Sequence, residues 1–73
     1  MATIEVLSEV IGSVWKIEKS EGDTVAEGEQ IMILESMKME IPVEAPSAGT
    51  LVEIKVVPEE SVDEDQVLCL IEN

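Results

Sequence analysis

Glu35-Ser36-Met37-Lys38-Met39-Glu40, at the middle of the chain, is the segment best suited to covalent chemistry. Lys38 offers a primary amine that attacks acyl groups once deprotonated. It stands between two methionines at a point where a turn usually carries polar residues. A lysine at a turn is most often a solvated charge. The methionines instead mark a surface for another protein to grip, unless both fold inward over the end of the core. Lys16, Lys19 and Lys55 lack this setting and stand among alternating residues, where charge keeps an outer face wet. Other chemistries fail on composition. With no His, Ser-His-Asp and Cys-His pairs and imidazole zinc sites are excluded. Cys69, single and set in Val67-Leu68-Cys69-Leu70-Ile71, reads as a small buried hydrophobe and is consistent with a cytoplasmic location. No Gly-rich phosphate loop follows a strand pattern. The acidic run from Glu59 to Asp65 lacks the glycine and terminal glutamate of a calcium loop and reads as solvated, so neither metal ligands nor catalytic residues are expected.

The elements that position Lys38 must come from a small, acidic chain. Seventeen Asp and Glu oppose four Lys over 73 residues, a formal net charge of −13. Such a chain is repelled by nucleic acid and by anionic membrane surfaces, and favours neutral or basic partners. A domain of this size buries only about 60% of the surface that its unfolded chain exposes, so one modest core is expected. The apolar fraction of 45%, almost all aliphatic, is enough to fold it. Met1 to Val6 lack the pattern of a signal peptide, and no stretch approaches a membrane span.

A shift of 37 residues lays Ile4–Glu35 over Ile41–Glu72 without a gap, with Gly12/Gly49, Ile17/Ile54, Val25/Val62 and Glu35/Glu72 among seven identities. Two copies are too few for a solenoid, so one closed domain over 1–73 is expected, with halves of about 4–35 and 41–72. Within each half the hydrophobic period is two. Strands are predicted at about 3–7, 14–19, 31–37, 39–44, 50–57 and 67–72, with short pairings near 24–26 and 61–63. Trp15, Ile17 and Lys19 should share one face, as should Val52, Ile54 and Val56, with Lys16, Glu18, Glu53 and Lys55 opposite. Pro58 to Gln66 could open a helix, but its counterpart contains Gly22 and Gly28, so a loop with a short strand is predicted. Two halves with one apolar face each must cover one another. The predicted class is all-β, a flattened barrel or sandwich of two four-stranded antiparallel sheets with pseudo-two-fold symmetry, and Ser36–Glu40 as the joining hairpin.

Three blocks carry a resemblance to a known family. Glu35-Ser36-Met37-Lys38-Met39-Glu40 resembles the attachment hairpin of biotinyl and lipoyl carrier domains. Glu21-Gly22-Asp23-Thr24-Val25-Ala26-Glu27-Gly28 and Ala45-Pro46-Ser47-Ala48-Gly49 resemble the segments that flank it, in the same order and at the same distances. The resemblance covers essentially the whole chain. It implies the barrel-sandwich hybrid fold, with Lys38 as the covalent attachment point and Glu35, Ser36, Met37, Met39 and Glu40 as the residues a ligase recognises. Met37-Lys38-Met39 is similar to the biotinyl pattern, so biotin is the expected cofactor, while Glu35-Ser36 is similar to lipoyl sequences and keeps lipoate open at the same lysine. Ser8-Glu9 for Ala-Pro and Glu59-Glu60 for Gly-Asp are departures that bear on loop geometry rather than on the site.

The resemblance further implies a non-catalytic carrier, loaded by biotin protein ligase or by a lipoate ligase. It would then act as a mobile carboxyl carrier between biotin carboxylase and carboxyltransferase components. The alternative from a different class is an unmodified structural or adaptor β-domain. The chain starts and stops flush with the repeat, which leans toward a free-standing protein, and a monomer is expected because charge keeps copies apart.

Overall fold

The computed structural model describes residues 2–73; the domain boundary drawn at Met1 lies outside them. β-Branched and aliphatic residues in alternating runs suit a pleated surface, and eight strands form. They are β1 (Thr3–Leu7), β2 (Gly12–Ile17), β3 (Thr24–Val25), β4 (Gln30–Ser36), β5 (Met39–Glu44), β6 (Gly49–Ile54), β7 (Ser61–Val62) and β8 (Val67–Glu72). The sheets run β1-β8-β6-β3 and β5-β4-β2-β7, with every pairing antiparallel. Moving each residue on by 37 turns one sheet into the other, strand for strand. Pro58 to Gln66 form a loop holding β7, as predicted. The inner faces meet in one aliphatic core in which Ile31, Met32, Leu51, Leu68, Cys69 and Ile71 are wholly buried. The molecule is a slab of 36 × 18 × 18 Å.

The strict alternation predicted for β2 and β6 does not hold. Both strands begin earlier, at Gly12 and Gly49, and end at Ile17 and Ile54. Val14 pairs with Leu34 and Lys16 with Ile33, so Trp15 is the extra residue of a β-bulge; Val52 is its counterpart between Leu51 and Glu53. A bulge sets two residues against one and resets the period. Val14 and Leu51 therefore point inward, while Trp15 and Val52 are exposed beside Lys16 and Glu53. Trp15 does not share an inward face with Ile17, and Lys19 and Val56 lie beyond the strands. A second bulge, at Ile31 in β4 and at Leu68 in β8, explains why Ile31-Met32 and Leu68-Cys69 are buried in succession.

Loop frames are duplicated too. The Gly22 N–H donates to the Leu51 carbonyl at 2.6 Å, and the Leu51 N–H donates to that of Asp23 at 2.8 Å. In the other half, Glu59 donates to Val14 at 2.7 Å and Val14 donates to Glu60 at 2.9 Å. Asp23 accepts from the Ser20 N–H as Glu60 accepts from that of Val57. Ser8, in the place of Ala45, is buried, and its hydroxyl donates to the Val10 carbonyl at 2.7 Å. The departures at Ser8-Glu9 and Glu59-Glu60 therefore leave the loop geometry intact. Among the described residues no helix is long and apolar enough to cross a membrane.

Candidate functional site

β4 and β5 are paired from Gln30↔Glu44 to Ser36↔Met39, leaving Met37 and Lys38 as the whole of the turn. Their φ angles are +52° and +64°. Two central residues in the left-handed region make a type I′ turn, the form that matches the twist of a hairpin and is usually filled by Asn-Gly. Residues with a Cβ pay about 1–2 kcal/mol each in that region. The flanking structure must therefore impose the turn. The Ser36 hydroxyl donates to the Ile11 carbonyl at 2.8 Å, fastening the hairpin to the β1–β2 loop. Gly12 lies against the Glu35 carbonyl so closely that a Cβ would overlap it. Gly12 is marked in the sequence by its repeat mate, but its packing role and that of Ile11 are not. The only signal was the identity with Gly49, which packs in the same way against Glu72.

The result is an amine at one tip of the slab with no covering side chain. Lys38 is exposed and, among the described residues, takes part in no salt bridge, whereas Lys19 and Lys55 pair with Glu29 and Glu53. Met37 is 92% exposed and Met39 65%, so neither folds back over the barrel end. Ile11, 70% exposed, extends this apolar border beyond the hairpin. Glu35 and Glu40 are directly opposite one another and exposed. Like charges in that position repel, so a cationic partner surface would relieve them. All six residues singled out from sequence thus lie together at the hairpin. Elsewhere, burial pushes the Cys69 thiol up to about 11, which keeps it protonated and inert. A 440 Å³ cleft between β1 and β5, lined by Glu5, Leu7, Leu34, Ile41, Val43 and Glu44 among others, carries carboxylates but no hydroxyl, thiol or cationic side chain.

The structure thus sets an exposed lysine at a two-residue turn, on a barrel built from two matching halves. Residues 3–71 match the family described as "Biotin-requiring enzyme". The chain is 38% identical over 65 residues to the Biotin/lipoyl attachment protein of Bacillus subtilis, covering 89% of each chain. It is 44% identical over 52 residues to the Biotinylated protein TB7.3 homolog of Mycobacterium leprae, covering 71% of this chain and 73% of that one. The urea carboxylase structure from Kluyveromyces lactis superposes with a TM-score of 0.93 at 28% identity over 99% of this chain, which corresponds to 6% of the carboxylase. The chain belongs to the biotin/lipoyl attachment family.

Proposed function

We propose that Lys38 carries biotin in amide linkage, and that the chain is a mobile carboxyl carrier serving biotin carboxylase and carboxyltransferase components. The observation that carries this reading is the uncovered amine at an imposed type I′ turn between two exposed methionines. A biotin ligase activates the carboxyl group as an acyl adenylate. The neutral ε-amine attacks that carbonyl, the new C–N bond forms as the bond to AMP breaks, and a base on the ligase takes the proton. The chain contributes position: the paired strands hold the amine clear of the barrel. Met37 and Met39 are recognised by shape, and Glu35 and Glu40 by charge on a basic ligase surface. Bound there, biotin supplies a ureido nitrogen that accepts and releases carboxyl groups. Tethering raises the local concentration of that ring at every partner site within reach.

Lipoate at the same lysine is the second reading, supported by Glu35-Ser36 and by the double name of the Bacillus relative. Intact mass after incubation with biotin or lipoate, ATP and the matching ligase separates the readings. We expect one biotinyl increment on the wild type and none on Lys38→Arg. An unchanged mass under both conditions would reject the carrier reading, and a modified Lys38→Arg would reject the site.

A further inference from the structure

Since strand order, register and bulges repeat, the outer faces of the two sheets should match. One row does not. On the sheet that bears the hairpin, Pro42 pairs with Ile33, and Ile33 faces the bulge occupied by Trp15 and Lys16. The same row of the other sheet is Glu5, Leu70, Val52 and Glu53. A proline, an aromatic and a cation thus stand where the copy has two glutamates and a valine. Trp15 is the chain's only aromatic and is 49% exposed. Lys16 is exposed and, among the described residues, has no salt-bridge partner.

We infer that this row is a resting platform for the ring of the cofactor on Lys38, an inference that rests on the biotin reading of that site. The Pro42–Ile33 rung lies three rungs below the Ser36–Met39 rung, roughly 10 Å at about 3.4 Å per residue. A lysine side chain extended by a valeryl chain through an amide is longer than that drop. The ring's thioether half lies against the indole, where sulfur–aromatic contact is favourable. Its ureido oxygen accepts a hydrogen bond from the Lys16 ammonium. The matching bulge carries Glu53, whose carboxylate is an acceptor rather than a donor. A protein partner fits the row less well, because a stable interface covers about 800 Å² per side and the next row toward the tip carries Glu35 and Glu40.

Trp15 is its own reporter. Biotinylated chain, its loading verified by intact mass, is compared with unmodified chain by fluorescence emission and acrylamide quenching. We expect a blue-shifted emission and at least a twofold fall in the quenching constant on biotinylation. Free biotin added to unmodified chain should leave both unchanged. In Trp15→Phe combined with Val52→Trp, which moves the reporter to the matching row of the other sheet, loading should change neither. Equal quenching of loaded and unloaded wild type would overturn the platform alone, as would equal protection of the relocated reporter. A mass without biotin on Lys38 would overturn the attachment reading and the platform with it.

Discussion

Gly22 and Gly28 in the first half correspond to Glu59 and Asp65 in the second, and the four φ angles are +96°, +83°, +74° and +69°. Where the halves build the barrel, then, a conformation that favours glycine persists without it. At the ends of the equivalent strands the halves diverge: Glu35 faces Glu40 at the base of a turn, whereas Glu72 faces Thr3 beside the chain termini. The comparison separates two kinds of constraint. Hydrogen bonds between halves dictate the loops, so side chains there can drift. The hairpin has no copy, and Met37, Lys38 and Met39 face solvent rather than the other half.

Five substitutions would break or sharpen that contrast. The largest effect is expected for Gly12→Ala, whose Cβ would overlap the Glu35 carbonyl. Overpacking of this kind costs about 1–3 kcal/mol, readable as a lower urea midpoint. Gly49→Ala should cost a similar amount, but only Gly12→Ala should also slow the loading of Lys38. Equal loading of the two variants would show that the strut beneath the hairpin is unimportant to the site. Next come the loops. Glu59→Gly relieves a left-handed residue that costs of order 1 kcal/mol, so it should raise the midpoint, while Gly22→Glu should lower it by a comparable amount. If Gly22→Glu proved far more costly, the two frames would not be equivalent.

The smallest effect concerns a pair that only one half possesses. Glu29 accepts from Lys19 and from the Ala26 N–H, which holds its carboxyl below the usual range. The hydrogen bond to Glu29 raises Lys19. The stabilisation from Glu29 is present above its unfolded value and disappears as pH falls through its folded value. That from Lys19 is present below its unfolded value and is lost as pH rises through its folded one. Gln66 occupies the matching place and accepts from the Asp63 N–H without an ion pair. Glu29→Gln should therefore convert the first loop into the second and slightly flatten the acid limb of a stability–pH curve. An unchanged acid limb would mean that this exposed pair contributes nothing measurable, a common result for such pairs.

Much of this was legible because duplication is visible in the sequence even at low identity. The period of two and the punctuation at Gly12 and Gly49 gave the strands, and the methionine frame picked out Lys38 from four lysines. What was missed has a common cause. A bulge adds one residue without changing composition, so Trp15 and Val52 looked like ordinary members of an alternating run. The type I′ turn was hidden as well, since Met37-Lys38 has none of the Asn or Gly that usually announces it. Nor could the Ser36 tie to Ile11 be read, because the contact joins positions distant in sequence.

The brevity of that turn has a consequence for transport. A carrier mounted on a long loop would let its anchor wander, and a ring searching for an active site would spend most of its time elsewhere. Here the slack is confined to the lysine side chain and whatever it bears, because the turn contributes only two residues and both strands are paired up to its edge. The anchor is a fixed pivot. With a cofactor on Lys38 as proposed, orienting the slab therefore also aims the cargo.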